Sequence, residues 1–135
     1  MTTIYKGYLE WSEFCHDHLV SEDRCSRKEF VDADVLIAAD VTYDVSVIEF
    51  LVNVIHSFLA TNPLKKEVIF AITRRNMETF KIFLRQLENK KVCCDWIASG
   101  RDCDDLPNMF KCKFNQSRSD VRIASLKLQC FNDVK

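Results

Sequence analysis

Three observations predict an α/β fold, with a mostly parallel sheet, flanking helices and an antiparallel C-terminal hairpin. Short apolar runs at 35–39 and 68–73 alternate with segments of helical period at 45–60 and from 77 onward. Both runs are apolar without alternation, the pattern of strands buried on two faces. The last two strand-like segments, 91–97 and 121–131, have no helical pattern between them, which predicts an antiparallel pair at the sheet edge.

Taken in order, "IYKGYLEW" (4–11) alternates loosely and reads as a strand ending at Glu10–Trp11. Residues 12–32 are polar and charged and read as a loop with room for a short helix. "VLIAA" (35–39) reads as a buried strand from its length and flanks. From Val45 to Ala60, the residues Val47, Ile48, Leu51, Ile55, Phe58 and Leu59 recur at helical spacing, with Asp44 as N-cap and "TNP" as the stop. "VIFAIT" (68–73) is a second apolar strand. Asn76 then caps a helix with Phe80, Phe83, Leu84 and Leu87 on one face and Lys81, Arg85 and Glu88 on the other. In 121–131, Val121, Ile123, Leu126 and Leu128 mark a strand, and 98–120 reads as a long polar loop.

Composition narrows the functions. At 135 residues, 47% apolar and 29% charged, the chain suffices for one domain with a core. A net charge of -1 gives no reason to expect nucleic acid or an anionic membrane as partner. No apolar run approaches the roughly 20 residues of a membrane span, and the N-terminus lacks the pattern of a secretory signal. Seven cysteines without that signal are expected to be reduced, in the cytoplasm, several of them buried as small hydrophobes. Only Gly7 and Gly100 occur, so no clustered glycines are available to cradle a phosphate or nucleotide.

In a parallel α/β sheet, ligands bind at the carboxyl ends of the strands. Glu10–Trp11, Asp40–Tyr43 and Thr73–Asn76 are all predicted there. Asp40 and Tyr43 read either as a turn former and its neighbour, or as a carboxylate and a phenol able to orient and desolvate an amine. Trp11 reads as core or as a flat surface for an adenine ring. "TRRN" (73–76) reads as a solvated turn, with a grip on an acidic substrate as the alternative. "CHDH" with Cys25 brings Cys15, His16 and His18 near a fourth thiol. No C-x-x-C pair supports a zinc site, and alternate histidines diverge on a strand or helix.

"DVLIAADVTYD" (34–44), with the helix after it and "VIFAITRRNMETFKIFLRQL" (68–87), resembles a known family. This is the class I, seven-β-strand S-adenosylmethionine-dependent protein-lysine methyltransferases with an (Asp/Glu)-x-x-Tyr motif. The stretch Arg75, Asn76, Glu78, Thr79, Phe80 is most similar to the branch that methylates elongation factor 2. The resemblance covers about residues 4–131 and matches the C-terminal half of that family's catalytic domain, a partial Rossmann-like methyltransferase fold. It implies substrate-lysine positioning for Asp40 and Tyr43, and contact with S-adenosylmethionine for Ala39 and Trp11. Glu10 stands where the family more often has Asp. The family's glycine-rich cofactor loop has no counterpart here.

The expected function is protein-lysine N-methylation on an elongation factor, without a metal, within a single domain over 1–135. Turnover by these residues alone is not expected. A truncated product, an incomplete gene reading or a piece that has lost catalysis would each explain the missing half. The rival expectation is a non-catalytic α/β interaction module, pairing through an exposed sheet edge or the 98–120 loop.

Overall fold

The computed structural model describes residues 27–42, 44–74, 76–99 and 121–129. They form helices α1 (Arg27–Asp32), α2 (Val45–Ala60) and α3 (Met77–Asn89), and strands β1 (Val35–Ala39), β2 (Glu67–Thr73), β3 (Val92–Ser99) and β4 (Val121–Leu128). The fold is α/β, a four-stranded mixed sheet in the order β1-β2-β4-β3 with helices against it. β1 and β2 are parallel, with Ile37 opposite Ile69 and Ala39 opposite Ala71. β4 enters antiparallel between β2 and β3, so the predicted hairpin forms with its second strand inside the sheet. The expected strand at 4–11 lies outside the described residues.

Both long helices begin where the caps predict. The Asp44 carboxylate accepts from the Ser46 amide at 2.8 Å, and this bond holds its pKa below the usual value. The Asn76 side chain accepts from the amides of Glu78 and Thr79. At the other end of α2, the Thr61 hydroxyl donates to the Phe58 carbonyl at 2.7 Å. α3 ends through Lys91 in the left-handed region, φ 58°, where a glycine would be usual.

One sheet face carries the core. Val68, Phe70 and Ile72 of β2 and Ala124 and Leu126 of β4 meet Ile48, Leu51, Ile55, Phe58 and Leu59 of α2, and Phe80, Phe83 and Leu87 of α3. Phe70 and Phe83 stack at 4.9 Å, and Phe30 meets Phe58 edge-on at 5.3 Å. Val52 and Val54 are also buried, beyond the stripe that the spacing marks.

One expectation is corrected. β1 is not buried on both faces: Ile37 is 76% exposed and Val35 47%, because the packed helices cover the opposite face, which carries Leu36 and Ala38. Of the two described cysteines, Cys93 is exposed and Cys94 is half-buried against the core, since neighbours on a strand point to opposite faces.

Lys66, only 4% exposed, ties the layers together. Its ammonium donates to the carbonyls of Phe30 (3.1 Å) and Val31 (2.6 Å) and lies 4.4 Å from the Phe58 ring centroid. It therefore caps the C-terminus of α1, where the helix dipole favours a cation. Burial pulls its pKa down, against the attraction of Asp34 and Asp32.

Lys66→Met keeps the stem over Phe58 but leaves those carbonyls uncapped. It should lower stability by about 1.5–3 kcal/mol, read from urea unfolding. Burial, then the charge of Lys90, holds the His56 pKa below its ordinary 6.5. The unfolded chain therefore binds this proton more readily, and stability should fall as pH drops below 6.5 toward the folded value. His56→Gln should flatten that part of the pH–stability curve in thermal melts. Burial, then Asp95, pushes the Cys94 thiol up to about 11. Iodoacetamide at neutral pH should therefore label Cys93 in the native protein and spare Cys94, as tandem mass spectrometry of the modified peptide would resolve.

Candidate active site

Parallel pairing of β1 and β2 brings both carboxyl ends to one edge of the sheet. Asp40 follows β1 directly, and its amide donates to the Ala71 carbonyl at 2.9 Å, carrying the ladder one residue past the strand. Its φ is 53°, a left-handed conformation that costs a non-glycine residue roughly 1–2 kcal/mol. Aspartate tolerates that region better than most residues, and strained backbone of this kind gathers at functional sites. The chain turns here, passes through half-buried Val41 and Thr42, and enters α2 under the Asp44 cap. Asp40 and Ala39 are both exposed at the edge.

Thr73 ends β2 at the same edge, followed by Arg74, while β4 begins there with Val121 opposite Thr73. Arg122, opposite Ile72, is the second residue of β4. The side chains of Arg74 and Arg122 are half-buried, and the Nε of each is shielded from solvent without a hydrogen-bond partner. The Arg122 guanidinium lies 5.9 Å from the Trp96 ring centroid, and Trp96 in turn meets Phe80 of α3 at 5.8 Å. Arg122 was not singled out by sequence. The alternation of "VRIASLKL" marks a strand, but nothing in it reveals which neighbouring strand end Arg122 joins.

Of the sequence-predicted site residues, Asp40 and Ala39 stand together on this edge. Tyr43, Trp11 and Glu10 lie outside the described residues, as do Cys15, His16, His18 and Cys25 of the zinc alternative. Among the described residues, no group of three or more His, Cys, Asp or Glu could hold a metal ion. A groove of about 380 Å³ between α2 and α3 is lined by Glu49, Val52, Asn53, Gln86, Asn89 and Lys90, none of them a strand-end residue. No described helix is long and apolar enough to cross a membrane.

Among the described residues, the edge offers a carboxylate after β1 and the guanidinium groups of Arg74, after β2, and of Arg122, near the start of β4. Ala39, the last residue of β1, is exposed beside that carboxylate. No curated protein matches the chain. A family model described as lysine methyltransferase matches residues 2–90, more than half of the chain and including both helix–strand units that carry Asp40 and Arg74. The chain belongs to the lysine methyltransferase family.

Proposed function

We propose that the Asp40 edge is the lysine-positioning part of an S-adenosylmethionine-dependent protein-lysine N-methyltransferase site, with a translation elongation factor as substrate. The observation that carries the reading is the placement of Asp40. It is an exposed carboxylate at the carboxyl end of β1, held in a left-handed turn by the bond to Ala71, in a chain of this family. The elongation-factor substrate rests on the likeness of the Arg75–Phe80 stretch to that branch.

A lysine ammonium has no lone pair and must shed a proton before its nitrogen can attack. The Asp40 carboxylate anchors the amine, and the Tyr43 hydroxyl aims its lone pair, so the two act by orientation and local electrostatics. Ala39, Trp11 and Glu10 would hold S-adenosylmethionine, which when bound supplies a methyl group on a sulfonium already activated toward attack. The left-handed turn keeps the carboxylate at the strand end instead of letting β1 run on, so the amine is met at a fixed height above the sheet.

A second reading has its own observation. The outer strand β1 presents Ile37 at 76% exposure, the kind of surface on which an interaction module would pair with another chain.

Calorimetric titration with S-adenosylhomocysteine separates the two. Saturable micromolar binding supports the methyltransferase reading, and none by a folded chain supports the interaction module. Where the cofactor is bound and a lysine is methylated, Asp40→Ala should lower the rate at least about 100-fold while leaving the thermal midpoint nearly unchanged. Retained turnover in that variant would remove Asp40 from the role.

A further inference from the structure

Arg74 and Arg122 are two cations at the carboxyl edge that the positioning of lysine does not use. β2 and β4 pair antiparallel with Ile72 opposite Arg122, which makes Arg74 the diagonal neighbour of Arg122. Neither pairs with a carboxylate among the described residues. Glu78 is engaged with Lys81 at 3.5 Å, and Glu67 with Lys127 at 3.8 Å and with Ser125. The shielded, unpartnered Nε of each arginine is the kind of group that native proteins leave for a function or a bound ion. The Trp96 ring beside Arg122 restrains its guanidinium, so less rotamer freedom is lost when an anion docks.

Register sets the distance to Asp40. Ala39 lies opposite Ala71, which puts Asp40 level with Ile72. Strand spacing and rise then separate the Cα of Asp40 from those of Arg74 and Arg122 by roughly 8–10 Å. An extended peptide covers that span in about two or three residues.

We propose that Arg74 and Arg122 form a carboxylate-binding subsite that selects protein substrates with an acidic residue two or three positions from the target lysine. Guanidinium forks match planar carboxylates, and two forks on adjacent strands accept one carboxylate between them. The proposal rests on the lysine-positioning reading of Asp40. It adds to that reading the property that the substrate segment is acidic.

The test uses the 135-residue chain and two fluorescein-labelled peptides, Gly-Glu-Ala-Lys-Ala-Glu-Gly and its counterpart with Gln in place of Glu, read by anisotropy. The acidic peptide should bind about tenfold more tightly. Arg74→Gln and Arg122→Gln should each remove most of that preference without weakening the Gln peptide, while Arg122→Lys, which keeps charge and packing, should retain part of it. Arg85→Gln, on the exposed face of α3, should leave the preference unchanged. Equal affinity for the two peptides, or a preference that survives Arg74→Gln/Arg122→Gln together, overturns the subsite. A phosphoserine peptide held more tightly by the same arginines overturns carboxylate as its ligand class. Norleucine in place of the peptide lysine tests Asp40 separately. If Asp40→Ala leaves the lysine-over-norleucine preference intact while the acidic preference stands, the lysine reading fails and the anion site does not.

Discussion

The parallel register between β1 and β2 governs the edge that carries Asp40. It ends in the bond from the Asp40 amide to the Ala71 carbonyl, one residue beyond the strand. That bond holds Asp40 in the ladder while its positive φ turns the chain out of it. A shift of one residue would exchange the two faces of β1, carrying Leu36 and Ala38 away from the core and bringing Ile37 in. It would also move Asp40 along the sheet relative to Thr73. The packing of the core and the position of the carboxylate are thus set by the same pairing.

Among the described residues the core is one-sided. α2 and α3 cover one face of the sheet with a close-packed group of aliphatic and phenylalanine side chains, and Lys66 adds α1 to that layer through two carbonyls. On the other face of β1 and β2, Val35, Ile37, Ile69 and Ala71 form an apolar surface, and Ile37 in particular stands open. The sequence of β1 suits a strand with neighbours on both faces, whereas the described residues supply them on one. This is the tension behind the interaction-module reading of the outer strand.

Glycine scarcity shows in the backbone. With two glycines in the chain, the left-handed positions among the described residues fall to Asp40 and Lys91. Lys91 closes α3 and its carbonyl accepts from the Gln129 amide at 2.8 Å, a structural task. Asp40 stands at the edge where strands of an α/β sheet present ligands. The same unusual φ therefore has a different meaning at the two ends of the sheet. Among the described residues, Asp40 shares this edge with the guanidinium groups of Arg74 and Arg122.

Periodicity, caps and breakers placed α2, α3 and the four strands from sequence alone, while α1 falls in a stretch read as a loop with room for a short helix. The stripe from Val47 to Leu59, the caps Asp44 and Asn76, and the apolar runs at 35–39 and 68–73 each carry their instruction in neighbouring residues, where backbone hydrogen bonding and side-chain spacing are local. Asp40 was legible as a strand-end carboxylate for the same reason. The sequence did not determine that β4 slips between β2 and β3, because strand order depends on which distant edges find each other. It could not show that Arg122, some 50 residues from Arg74, shares its edge. Nor could it tell which face of β1 the helices cover: an apolar run without alternation suits either face equally, and only packing of the whole layer chooses between them.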